Sequence, residues 1–325
     1  MKAAAKAHTN IALIKYWGKR DESLILPMNN SLSLTLDGFY TTTAVEFQEN
    51  LTADRFYLND RLVEGAEYRR VTAFLDRIRQ AAGRPDAFAE IHSTNHVPTA
   101  AGFASSASGF AALAAATAKA IDLPVNEQQL SIMTRHGSGS ACRSIYGGFV
   151  EWEKGIKADG SDSYAVPIAP ADHWDIRVAA VILSSAEKKV LSREGMRRTV
   201  ETSSYYPAWV DSIPDDLAAI KDGIAHKDFE KVGVIAEANC LRMHATTLAA
   251  SPPFSYWQST TFSIMEAVQD LREAGVPVFF TIDAGPNVKV LYLPEQEETI
   301  RSTLLGIPGV HDVTVSRPGQ GVSYI

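Results

Sequence analysis

Two cysteines, Cys142 and Cys240, are all that the 325 residues contain. That number excludes a disulfide framework and points to a reduced, cytoplasmic setting. A basic excess is also missing, since the formal net charge is -7. General attraction to nucleic acid or to an anionic membrane is therefore excluded, and any anion site must be a local basic cluster. Met1 to Lys19 carries Lys6, His8 and Lys15 where a secretory leader needs an unbroken apolar run, so no leader is expected. There is no repeat of fixed period and no low-complexity tract. Neither a Walker-A loop nor G-x-G-x-x-G occurs. His92, His96, His136 and His244 make no H-x-x-x-H pair on an expected helix and have no cysteine at ligand spacing, so no protein-held metal is expected.

Charge is missing in one further place. Between Glu90 and Lys119 there is no Asp, Glu, Lys or Arg. The stretch is too weakly apolar to span a membrane, because Ala, Gly, Ser and Thr dominate it. Pro98 to Gly102 reads as a turn, and Ala104-Ser105-Ser106 as the start of a helix. Phe110, Leu113, Thr117 and Ile121 then recur on one apolar face. A helix N-terminus offers unpaired N–H groups and the positive dipole end, which suit phosphate. Small side chains let a polyphosphate approach that backbone. An Ala-rich core helix with a Ser cap explains the composition equally well.

Elsewhere the chain has the texture of an α+β protein with two lobes. Ser31 to Leu36 alternates polar and apolar, and Thr41 to Phe47 is β-branched, which predicts a hairpin turning near Asp37-Gly38. A helix is expected from Glu67 to Ala82, a strand at "AFAEIHSTN", and a helix from Asn126 after the stop at Pro124. Strands follow at "GGFVEW" and Asp175 to Ser185. Helical patterning marks Pro214 to Ala225, Asp228 to Leu248 and Gln258 to Ala274. The strand-turn-strand "VPVFFTIDAGPNVKVLYL", a short helix and a strand near "VHDVTVS" complete the chain. The seam between a β-rich first lobe, 1–182, and a helix-rich second lobe with a smaller antiparallel sheet, 183–325, is expected near residue 180.

"PTAAGFASSASGFAAL" resembles the phosphate-binding motif of the GHMP kinase superfamily, P-x-x-x-G-hydrophobic-x-S-S. Its Ser-Ala-Ser-Gly continuation is similar to that of the diphosphomevalonate decarboxylases. "NIALIKYWGKRD" (Asn10 to Asp21) resembles the N-terminal signature of that family, and "SGSACRSIYGGFVEW" (Ser138 to Trp152) its most distinctive block. "SSAEKKVLSREGMRRTVETS" and "FTIDAGPNVKVL" follow in the expected order, so the resemblance spans nearly the whole chain. Phe103 stands where many relatives carry Leu, a departure that keeps the position apolar.

The resemblance implies a two-lobed GHMP fold and ATP-dependent decarboxylation. ATP would phosphorylate the tertiary hydroxyl of mevalonate diphosphate; loss of phosphate and carbon dioxide would then give isopentenyl diphosphate. A plain GHMP small-molecule kinase, a phosphomevalonate decarboxylase, or a ligand-binding sensor that has kept the fold are the competing readings. It further implies Mg²⁺ held through the ATP phosphates, with Ser106 as a candidate ligand, and a homodimer. The chemistry needs a group at the hydroxyl, cations for a diphosphate and a cradle for ATP.

The resemblance assigns residues to each need. Asp283 ends the apolar strand "VFFTID" before a Gly-Pro turn and would accept or orient the hydroxyl proton; taken alone it reads as a turn-capping Asp. Arg143 would hold the substrate carboxylate with its planar fork; taken alone it reads as a surface Arg on a short helix. Ser138, Gly139, Ser140, Ala141 and Cys142 complete that substrate loop, with Cys142 as a buried small residue and no nucleophile. Tyr16, Lys19 and Arg193 would contact the diphosphate, and Trp17, Gly18 and Ser192 would be further substrate-binding residues. Arg70 would reach the same anionic end or lie on a helix surface. Pro98, Ala101, Gly102, Ala104, Ser105, Ser106 and Ser108 would form the ATP cradle, with Lys188 or Lys189 approaching its phosphates. Asn10 and Lys15 read as structural, and "SSYYPAW" as core or subunit contact.

Overall fold

The computed structural model describes residues 1–96, 105–183 and 190–325. Its first strand, β1 (Lys2–Ile14), pairs over most of its length with β4 (Ser31–Phe47), with β2 (Lys19–Asp21) and β3 (Leu26–Pro27) between them. Next come β5 (Arg55–Leu58), β6 (Arg61–Leu62), α1 (Gly65–Ala81), β7 (Ala89–His96), α2 (Ser105–Ala120) and α3 (Glu127–Arg135). A 3-10 helix, Gly139–Ile145, leads to β8 (Phe149–Trp152), β9 (Ala165–Ala169) and β10 (Arg177–Ile182). The remainder is α4 (Ser192–Thr202), α5 (Tyr206–His226), α6 (Phe229–Leu248), α7 (Ser259–Glu273), β11 (Val278–Ile282), β12 (Val288–Tyr292), α8 (Glu297–Leu305), β13 (Asp312–Ser316) and β14 (Ser323–Tyr324).

Two main sheets, beside a two-stranded β2-β3 ladder, organise the described residues into an α+β fold. The larger runs β14-β1-β4-β7-β5-β6, with β8 on β4 and β9 on β8. The smaller, β11-β12-β10-β13, is antiparallel throughout. β10 ends at the expected seam, Ile182, yet hydrogen-bonds within the second sheet. Beyond β13 the chain returns to the first sheet, where β14 pairs with β1.

From Ser105 onward the uncharged run forms α2, which lies against β1 and β4. Ala107, Ala111, Ala112, Ala114, Ala115 and Ala118 are buried there, since methyl side chains let helix and sheet backbones approach closely. α1 and α3 match expectation: Gly83 follows α1 at φ +67, and Asn126 caps α3 in a capping box with Gln129. A second cluster spans the two sheets, with Ile11, Leu13, Leu32 and Leu34 meeting Trp209, Ile220, Met243 and Phe279. Each such side chain contributes about 1.5–3 kcal/mol when fully buried, and together they fix the lobes around the cleft.

Two local expectations need correction. No hairpin turns at Asp37-Gly38, because β4 runs straight through it. The register with β1 slips between His8–Tyr40 and Asn10–Thr35, so extra β4 residues bulge there. Asp37 instead grips the tail: it accepts from Ser316 Oγ at 3.0 Å and from Arg317 Nε at 2.7 Å. α5 begins at Tyr206, well before Pro214, which sits inside the helix. Tyr206 and Trp209 of the aromatic string are core residues of α5. Ser192 is the first residue of α4.

Candidate active site

A cleft of about 370 Å³ opens where β1, the 3-10 helix, α4 and the end of β11 meet. That volume is in the range of small-ligand sites. Tyr16, Trp17, Lys19, Arg70, Ser106, Ser138, Gly139, Ser140, Arg143, Ser192, Arg193 and Asp283 all line it. Segments far apart in sequence therefore converge on one cavity.

Strand ends and helix starts supply these side chains. Asp283 directly follows β11, whose five residues are all buried, so the chain leaves the core at that carboxylate. Lys15 directly follows β1, and its Nζ lies 2.7 Å from Asp283 Oδ1. The Lys15 side chain is 3% exposed and that of Asp283 35%, so the pair presents its carboxylate to the cleft. Lys15 Nζ also donates to Ala12 O at 2.8 Å.

Arg143 is almost wholly buried in the 3-10 helix. It donates to Ser33 Oγ at 2.9 Å, Ser31 Oγ at 2.5 Å and Asn10 Oδ1 at 3.2 Å. A guanidinium has five N–H donors, so capacity remains for a ligand carboxylate. Burial pulls its pKa down, while Cys142, Asp283 and Tyr16 act against that. Asn10 fixes the same loop, donating to Ser140 O at 3.0 Å and Ser144 Oγ at 2.8 Å.

Among the described residues, five cationic side chains and one carboxylate line the cleft, in a protein of net charge -7. Burial, and then the Arg193 guanidinium, lower the Arg70 pKa to about 10. Arg70 is held by Gly137 O at 2.7 Å and lies over the Phe110 ring. Lys19 pairs with Glu22. Such a concentration of cations favours a polyanion. Burial raises the Tyr16 phenol far above its usual value, so it stays protonated as a donor. Trp17 Nε1 is buried in the wall with no hydrogen-bond acceptor among the described residues. Ser106, in the first turn of α2, has its Oγ 3.4 Å from Ser138 Oγ.

Other expected site residues stand behind the wall. Gly18 has φ +100 and packs under Tyr206. Ala141 and Cys142 are fully buried, and burial pushes the Cys142 thiol up to about 12, which leaves it inert. Ser108 faces the sheet, bonded with Thr9 and Thr41. Ser105 opens α2. Pro98, Ala101, Gly102, Ala104, Lys188 and Lys189, and the Ser105 side chain, lie outside the described residues.

Sequence reasoning set Lys15 and Asn10 aside as structural and did not consider Lys289, whose Nζ lies 3.5 Å from Asp283 Oδ2. The available signal was a lone lysine inside an apolar stretch, "IALIKYW" and "NVKVLYL". Burial of an ammonium is costly unless it is paired.

Two sheets around a cation-rich cleft, with a small-residue helix start on its wall, define a GHMP-type enzyme. A family model for the diphosphomevalonate decarboxylase-like N-terminal domain matches residues 7–165, and one for the mevalonate 5-diphosphate decarboxylase C-terminal domain matches 178–313. The diphosphomevalonate decarboxylase of Candida albicans is 39% identical, over 99% of this chain and 94% of its own. Mevalonate diphosphate decarboxylase from Staphylococcus aureus is 48% identical, with TM-score 0.95 over 100% of this chain and 98% of its own. A complex of MDDEF with MVAPP, AMPPCP and magnesium is 46% identical, with TM-score 0.94 over 100% and 99%. The chain belongs to the diphosphomevalonate decarboxylase family.

Proposed function

We propose that the protein catalyses the ATP-dependent decarboxylation of (R)-5-diphosphomevalonate to isopentenyl diphosphate, with ADP, phosphate and carbon dioxide as the other products. The observation that carries this reading is the Lys15–Asp283 pair opening onto a cleft lined by cations. Asp283 accepts or orients the proton of the tertiary hydroxyl as that oxygen attacks the terminal phosphorus of ATP. Arg143 holds the substrate carboxylate and so aligns the carbon–carbon bond that breaks. Tyr16, Lys19, Ser192 and Arg193 take the diphosphate, with Arg70 behind them and the Trp17 N–H as a further donor. The serines of the Ser138–Ser140 loop seat the middle of the substrate.

ATP and Mg²⁺ fit the same wall. The start of α2 supplies N–H groups, the small residues leave room, and the cations offset phosphate charge. Mg²⁺ would be carried on the phosphates, with Ser106 as its candidate protein ligand, and would neutralise charge during transfer. Phosphorylation makes the tertiary hydroxyl a leaving group. Its departure builds positive charge at carbon, which nearby phosphate oxygens stabilise.

A cytoplasmic homodimer working in the mevalonate pathway is part of the proposal. Two buried free thiols suit a reducing compartment, and light scattering tests the dimer. Carbon dioxide release tests the reaction. Purified protein is incubated with ATP, Mg²⁺ and mevalonate, its monophosphate or its diphosphate. Gas released from the diphosphate supports the reading. Phosphorylated product without gas would make the protein a kinase, and preference for the monophosphate would move the substrate.

A further inference from the structure

The Asp283 carboxylate is flanked by two lysines. Lys15 approaches Oδ1 at 2.7 Å from the end of β1, and Lys289 approaches Oδ2 at 3.5 Å from β12. The register of the second sheet explains the second approach. Lys289 is the direct cross-strand partner of Thr281 in β11. Asp283 lies two residues beyond Thr281 and shares its face. A long side chain reaches such a diagonal neighbour. Lys289 Nζ also donates to Asn287 O at 3.2 Å, which ties it to the turn that carries Asp283.

The Lys289 side chain is 2% exposed. Its neighbours in β12, Val288 and Val290, are fully buried core residues. An apolar side chain would fill the position without the cost of desolvating an ammonium. At 3.5 Å the contact with Oδ2 is longer than a good hydrogen bond, so Lys289 acts there mainly through its charge. The backbone before Asp283 is held as well. Cys240 Sγ accepts from Ile282 N at 3.0 Å, and His244 Nε2 lies 3.2 Å from Ile282 O. Among the described residues, Lys15 from the end of β1, Lys289 from β12, Arg143 from the 3-10 helix, and Cys240 and His244 from α6 are charged or titratable groups that act on the carboxylate.

We infer that Lys289 is a positioning residue for the reaction, holding the Asp283 carboxylate from its Oδ2 side while Lys15 engages Oδ1. The inference rests on Asp283 receiving the hydroxyl proton. Lys289 need not touch substrate. Its charge favours the ionised carboxylate, and its loss leaves an acceptor that protonates more readily and rotates more freely.

The test is the pH dependence of kcat for the wild type, Lys289→Met and Lys289→Arg, with carbon dioxide release as the readout. Lys289→Met is expected to lower kcat by about tenfold to a hundredfold, with KM within about threefold. The acid limb of its kcat profile should move up by about one pH unit. Lys289→Arg should recover most of kcat and the wild-type limb. A folded Lys289→Met with an unmoved limb, or with raised KM at unchanged kcat, overturns the inference. Failure of the wild type to release carbon dioxide, or full activity in Asp283→Asn, overturns the functional reading instead. If Lys289→Met does not fold, the ammonium ¹⁵N resonance of Lys289 in the wild type decides. It should titrate with the acid limb, and a resonance that ignores that limb sinks the idea.

Discussion

Lys15 Nζ and Asp283 Oδ1 lie 2.7 Å apart although 268 positions separate them in the chain. The contact crosses from the end of the first sheet's β1 to the end of the second sheet's β11, so it forms only when both lobes are assembled. It also couples a nearly buried cation to a partly open carboxylate, which suits a group that must accept a proton and return it. Asp283→Ala should abolish turnover, with kcat reduced by about 10³-fold or more, while ATP binding by calorimetry stays within a few-fold. Unchanged turnover in a folded variant would remove Asp283 from the chemistry.

Arg143→Lys separates charge from shape. The ammonium keeps the positive charge but cannot reproduce the fork that meets Ser31, Ser33 and Asn10 together. KM for the diphosphate substrate should rise about tenfold to a hundredfold, and KM for ATP should change little. Equal weakening of both substrates would mean that the variant loosens the whole 3-10 helix.

The place of Asp283 at the end of an apolar strand before Ala-Gly-Pro-Asn was legible from local context, while its candidate role came from the family resemblance and not from that context. Lys15 and Lys289 were not, since each meets that carboxylate through tertiary contacts. A lone lysine in an apolar run carries no record of its partner. The Asp37-Gly38 misreading has the same origin. Asp-Gly is a turn signal in isolation, but Ser316 and Arg317 hold it in a bulged strand. The long helices α6 and α7 were legible from periodicity, whereas α5 was truncated because Pro214 looked like a boundary. The seam was drawn from texture, and texture does not show that β10 pairs with β12 and β13.

Gly18→Ala tests the turn that carries the Tyr16–Lys19 block. The backbone there has φ +100, which a side chain disfavours, and an added Cβ would lie 2.0 Å from the Tyr206 hydroxyl. That hydroxyl donates to Trp17 O at 2.6 Å, so the clash breaks the bond holding the turn to α5. A stability loss of about 2–4 kcal/mol in urea unfolding is expected, together with weaker diphosphate binding. A neutral effect on both would show that the turn relaxes freely.

His244 predicts how stability depends on pH. Burial drives its pKa down to about 4 from 6.5, outweighing the Ile282 carbonyl, so the folded protein holds it neutral at pH 7. Its Nε2 lies 3.2 Å from that carbonyl, while Nδ1 has no partner among the described residues and the ring packs beside Trp257 and Tyr256. Protonation would place a donor at Nδ1 in apolar surroundings. Between pH 6.5 and 4 the unfolded chain binds the proton and the folded one does not, so stability falls as pH falls. His136, lowered to about 4 mainly by burial, adds in the same direction. The His244 contribution is about 1.4 kcal/mol per pH unit below 6.5. Urea unfolding at a series of pH values should show a shallower decline in His244→Gln than in the wild type, even though the variant is less stable at pH 7.5. Parallel declines in the two proteins would mean that His244 is protonated in the fold without penalty.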